Sequence, residues 1–167
     1  SKAPNYIEIG SMNSAFGGTF TARINMNLRE DKHWAYGAGS FLGSAFGPRL
    51  FTLYAPVQTD KTRESVQEMV KELHDVVDQR PITAEEIAKV KANDVRKLPG
   101  RYETAGAVLG ALTDIVLYGR PDDYVQTLKQ RVEGQSDDAV RAAARAVSHP
   151  EGLTWGLVGD LAKTEGG

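Results

Sequence analysis

The stretch Asn13-Ser14-Ala15-Phe16-Gly17-Gly18-Thr19-Phe20-Thr21-Ala22-Arg23-Ile24-Asn25-Met26-Asn27-Leu28-Arg29-Glu30-Asp31-Lys32-His33-Trp34-Ala35-Tyr36-Gly37-Ala38-Gly39-Ser40 decides the fold, because its apolar spacing changes along the way. Tyr6, Ile9, Met12 and Phe16 recur at helical spacing, with Pro4 near the start, and predict a helix from Pro4 to Phe16 closed by Gly17-Gly18. Phe20, Ile24 and Leu28 fall four apart and predict a second helix over about 19–30, with Arg29 in its last turn. From His33 to Leu42 the helical period is lost and aromatic and small residues take over, which reads as a strand. Trp34, Tyr36, Ala38, Ser40 and Leu42 would point one way, and Ala35, Gly37, Gly39, Phe41 and Gly43 the other. The second face is almost bare, so something can approach its backbone closely.

Downstream, a turn at Gly47-Pro48 and the apolar run Leu50–Ala55 complete a predicted β-hairpin. Val66, Met69, Val70, Leu73, Val76 and Val77 mark the clearest helix, Thr62–Gln79, which Pro81 stops. Thr83 and Glu86 form a capping box for a helix with Ile87, Val90 and Val95 inward, ending before Pro99-Gly100. Ala105, Val108, Leu109, Leu112, Ile115 and Val116 line another, closed by Gly119. A short helix after Pro121 carries Tyr124, Leu128 and Val132. Ser136 caps the last, with Asp137 and Asp138 in its positive first turn and Val140, Ala144 and Val147 inward. Leu153–Gly159 reads as a late, central strand. Three strand signals among six or seven helices give an α+β fold, a small, mostly antiparallel sheet with helices packed on one face.

The chain has 167 residues, 41% of them hydrophobic, which suits one domain with a real core. Its 20 basic and 22 acidic residues nearly balance and form no run of like charge, which excludes nucleic acid and an anionic membrane as main partners. Without cysteine there is no disulfide, thiol nucleophile or cysteine-bound metal. No apolar stretch approaches the roughly 20 residues that span a bilayer, and the opening Ser-Lys-Ala-Pro-Asn is not a signal peptide.

The three histidines are the first suspects for metal or acid–base chemistry. His33 has no helical partner ligand and His149 precedes Pro150. His74 sits in His74-Asp75-Val76-Val77-Asp78, which fits neither H-E-x-x-H nor H-x-x-E-H. All three read as ordinary surface residues, so no metal site is expected. Ser11, Ser14, Ser40, Ser44 and Ser65 lack a glycine-flanked nucleophile elbow. Gly17, Gly18, Gly37, Gly39, Gly43 and Gly47 fit no phosphate-binding spacing and are better explained by a helix end and a hairpin.

The 13–40 stretch resembles the segment of insulinase/pitrilysin zinc metallopeptidase domains in which an asparagine-containing helix ends in Gly-Gly. A phenylalanine follows, then an Arg-(Ile/Leu)-Asn helix, Leu-Arg-Glu and a Tyr-Gly strand. Gly100-Arg101-Tyr102-Glu103-Thr104 and the terminal Leu-Val-Gly-Asp extend the resemblance along the chain. The resemblance implies that residues 1–167 are a non-catalytic domain of the C-terminal type, lacking zinc, whose H-x-x-E-H partner is another domain or subunit. It implies that Arg29 and Tyr36 bind the peptide substrate and that Tyr36 donates to the oxyanion. Read as residues alone, Arg29 is a helix-end cation and Tyr36 a half-buried strand aromatic.

Complete units of that family begin with at least one strand ahead of the helix that here opens at Pro4. The resemblance therefore implies a front-truncated domain with an open sheet edge through which copies could self-associate. The compartment stays open, since a cysteine-free chain suits the cytoplasm and an oxidising space equally; a periplasmic or otherwise exported setting is favoured over the cytoplasm if a missing front held an export signal. The alternative within the same superfamily is a structural assembly subunit that cleaves nothing.

Overall fold

The structure is a computed structural model and describes residues 3–43, 45, 47–160 and 163. Helix α1 (Tyr6–Asn13) buries Ile9 and Met12, and its buried side continues through Ala15 and Phe16 in a π-helical turn, Ser14–Gly18. The glycine pair thus lies inside the last turn and not beyond it. A Cβ on Gly39 would come within 2.5 Å of the Gly17 carbonyl oxygen, and one on Gly17 within 2.6 Å of the Ser40 nitrogen. Glycine at both positions lets this turn lie directly on the hairpin, which is the close approach expected of the bare face.

The chain extends at Thr19 and stays out of the helix until Arg23. Helix α2 (Arg23–Asn25) then runs into a second π-helical turn, Met26–Asp31. The predicted start at Thr19 is too early, because Ala22 is extended and sits at the N-cap. Ile24 and Leu28 are buried as expected, but Phe20, lying before the helix, is not on their face and is exposed.

The predicted strand is also shorter than its sequence pattern. His33 takes a positive φ of 58°, the amides of Trp34 and Ala35 both donate to the Leu28 carbonyl, and Ala35 forms an isolated antiparallel bridge with Val57. Regular pairing begins only at β1 (Gly39–Leu42), antiparallel to β2 (Phe51–Tyr54), with Gly39 opposite Tyr54 and Leu42 opposite Phe51. Tyr36 and Gly37 therefore lie outside the ladder.

Helices α3 (Thr62–Val77), α4 (Ala84–Lys97), α6 (Tyr124–Glu133) and α7 (Asp137–Val147) follow the predicted segments. The Thr83–Glu86 capping box is formed in both directions, and the Ser136 hydroxyl accepts from the Ala139 amide. Ile9, Met12, Phe16, Ile24, Leu28, Leu73, Ile87 and Val140 meet in one core, against which Leu42, Phe51 and Leu53 of the hairpin pack. This is the expected α+β fold. No helix of the described residues is long and apolar enough to cross a membrane.

Two further expectations fail. Helix α5 (Ala105–Tyr118) ends as predicted at Gly119, whose φ of 60° suits glycine, but it buries no residue, and Leu109, Leu112 and Val116 face outward. The predicted apolar stripe is present at its helical spacing, but it faces solvent and not the core. Leu153–Gly159 is no central strand. It has no regular secondary structure, makes no backbone–backbone hydrogen bond among the described residues, and lies across a groove from β2 and α3. The sheet of the described residues has two strands, and the outer edge of β2 carries no strand partner.

Candidate functional site

Arg29 is carried by the π-helical turn Met26–Asp31, and α3 holds that turn from below. Asn27 Nδ2 donates to Glu68 Oε2 at 3.0 Å and to the buried Glu72 at 2.8 Å, while Lys32 pairs with Glu68 at 3.4 Å. The Asn27 hydrogen bond, opposed by burial and reinforced by Lys32, holds the Glu68 carboxyl below its ordinary value. The turn that presents Arg29 is therefore tied to a long core helix by charge-assisted bonds.

Tyr36 arrives from the irregular stretch ahead of β1 and is 88% exposed, so it is not the half-buried aromatic that an unbroken strand would have given. Arg29 Cζ lies 5.4 Å from the Tyr36 ring centroid and 4.6 Å from that of Phe20, itself 60% exposed. Arg29 is thus flanked by two rings, an arrangement that holds a flexible cation in place by cation–π attraction. Its other contacts are weak: Nε lies 3.3 Å from the exposed Glu30 carboxylate. The two residues singled out in the sequence are brought together on an exposed face, as donors with no acceptor committed to the core.

Sequence reading missed two residues here. The four-residue spacing puts Phe20 on one helix face with Ile24 and Leu28, and only the Thr19–Ala22 interruption after Gly17-Gly18 signals otherwise. Asn25 falls in the Arg-(Ile/Leu)-Asn part of the family pattern, but nothing in the pattern gives it a role. It is 4% exposed, donates to the Phe20 carbonyl at 2.7 Å and accepts from the Ala38 amide at 3.0 Å.

Among the described residues no group of three or more His, Cys, Asp or Glu side chains could hold a metal. The histidines are exposed and scattered: His33 Nδ1 is 3.0 Å from the Arg29 carbonyl, and His74 is 3.9 Å from the Glu151 carboxylate.

The sequence profile of a family described as the peptidase M16 inactive domain matches residues 1–93. The chain belongs to that family. It is the non-catalytic type of domain that the insulinase/pitrilysin resemblance implied. No curated protein matches the chain. Among solved structures, a peptidase M16 inactive domain from Pseudomonas fluorescens superposes with a TM-score of 0.78 at 18% identity, covering 89% of this chain and 35% of that one. The inactive peptidase domain of a candidate zinc protease from Bordetella parapertussis gives 0.70 at 19% identity, covering 86% and 78%. The periplasmic protease PqqL from Escherichia coli gives 0.65 at 18%, covering 85% and 15%. At these identities the likeness is one of fold. This peptidase M16 inactive domain spans about a third of the length of the Pseudomonas protein.

Proposed function

We propose that this chain is the substrate-gripping, transition-state-assisting half of a zinc metalloendopeptidase whose metal and H-x-x-E-H motif lie in another domain or subunit. The observation that carries the reading is the Arg29–Tyr36 pair. Both side chains come from segments fixed to the core, yet both remain on the surface, where a peptide could reach them. A tyrosine hydroxyl can donate to the oxygen that gains charge when a scissile carbonyl is attacked. A guanidinium can donate to a neighbouring carbonyl of the peptide. Neither task requires a metal within this chain; zinc held by the other half would supply the Lewis acid. An exported compartment is part of the proposal and is supported by the periplasmic Escherichia coli neighbour.

Removal of the Tyr36 hydroxyl in the complete enzyme tests the reading. Tyr36→Phe keeps the ring beside Arg29 and should lower kcat on the order of a hundred-fold, with KM and thermal stability little changed. Arg29→Ala should raise KM as well, because a contact to the bound peptide is lost in the ground state too. Full turnover by Tyr36→Phe would reject the oxyanion role, and absence of peptide cleavage by the complete wild-type protein would favour the assembly-subunit alternative.

A further inference from the structure

The two rings that flank Arg29 come from segments without regular structure. Phe20 lies in the turn before α2, and Tyr36 in the stretch between His33 and β1. Both rings are largely exposed, so packing does little to set where they stand. Their backbones must do it, and the Phe20 carbonyl and the Ala38 amide, two residues beyond Tyr36, are tied to one side chain. The buried Asn25 amide donates through Nδ2 to the Phe20 carbonyl at 2.7 Å and accepts through Oδ1 from the Ala38 amide at 3.0 Å. Gly37 lies against the same oxygen, where a Cβ would meet Asn25 Oδ1 at 3.7 Å.

We propose that Asn25 is a positioning residue that sets the separation of Phe20 and Tyr36 on either side of Arg29, and with it the geometry of the substrate face. The inference rests on the reading above that this face meets a peptide. A primary amide suits the task because it alone among short side chains offers a donor and an acceptor in one rigid plane. Its two bonds act on different parts of the site: the donor half governs Phe20 and the acceptor half governs the approach to Tyr36. The Ala38 bond is buried and the Phe20 bond partly so, and losing either half leaves a partner unmatched and frees its segment to shift.

The test uses the complete enzyme with a quenched peptide, at a temperature where thermal melts show every variant folded. Asn25→Asp keeps the acceptor for Ala38 and replaces the donor facing Phe20, so KM should rise about ten-fold while kcat changes less than about two-fold. Asn25→Ala removes both halves and should also lower kcat, on the order of ten- to a hundred-fold, because the Tyr36 donor loses its placement. Phe20→Ala should raise KM as Asn25→Asp does, and combining the two should add little, as for residues acting through one another. Faster hydrogen exchange at the Ala38 amide should accompany Asn25→Ala and not Asn25→Asp. Unchanged kinetics in folded Asn25 variants, or additive effects with Phe20→Ala, would overturn the proposal. So would variants that cannot be kept folded, since Asn25 would then be a stability residue. If Arg29→Ala and Tyr36→Phe are themselves silent, the reading of the site falls and this inference falls with it. If those two variants are impaired and the Asn25 variants are not, only the inference fails.

Discussion

At the scale of single residues, the contact with the clearest energetic signature is the pair Arg23–Glu86, which bolts the start of α2 to the start of α4. Arg23 Nε and Nη2 reach the two carboxylate oxygens at 2.7 and 2.6 Å, and the Thr83 amide adds a third donor at 2.8 Å. Arg23 also donates to the carbonyls of Arg80 and Pro81. Burial pushes the Glu86 carboxyl up, but Arg23 and the Thr83 donors outweigh it and hold the group below its ordinary value. A carboxyl depressed in the folded state contributes stability above its unfolded pKa and loses that contribution as pH falls through the folded value. Glu86→Gln should therefore cost roughly 1.5–3 kcal/mol near neutral pH. Its stability should also fall less steeply than that of the wild type on acidification below the ordinary glutamate range. Urea melts at a series of pH values check this, and parallel pH curves for the two proteins would contradict it.

Among the elements, α4 and α5 make the sharpest contrast, with similar length and quite different anchoring. Ile87 of α4 is fully buried in the core, so Ile87→Ala should destabilise by about 2–5 kcal/mol. Leu112 of α5 is exposed, and Leu112→Ala should change the stability of this chain by no more than about 0.5 kcal/mol. Equal losses in denaturant melts would show that α5 is packed. What was legible in the sequence is what local chemistry controls: the α3 periodicity, the Thr83–Glu86 box, the Ser136 cap and the glycine that ends α5. Illegible were features set by distant partners. The strand predicted through Tyr36 breaks because Ala35 pairs with Val57 and the Trp34 and Ala35 amides turn back to Leu28. Phe20 fits an i, i+4 pattern with Ile24, yet a helix that begins at Arg23 cannot use it. The Leu153–Gly159 run has the composition of a buried strand, but composition does not fix pairing: the run lies across a groove from the free edge of β2 without bonding to it. Arg29, Tyr36 and Asn25 all fall on the family pattern, but a role for Asn25 emerges only from its two tertiary hydrogen bonds.

On the scale of the whole molecule, one well-packed core supports an exposed face where Arg29 lies between Phe20 and Tyr36, and no group of ligands among the described residues could hold a metal. Membership of the peptidase M16 inactive-domain family agrees with a division of labour in which the metal lies elsewhere. Such a division makes a demand on both parts. The zinc-carrying half should need this chain for turnover, and this chain should need the zinc-carrying half. Peptide hydrolysis by each half alone and by the two together decides whether the labour is divided in this way. Cleavage of a quenched peptide is expected only when both are present. Cleavage by this chain alone, or undiminished cleavage by the zinc-carrying half without it, would contradict the account.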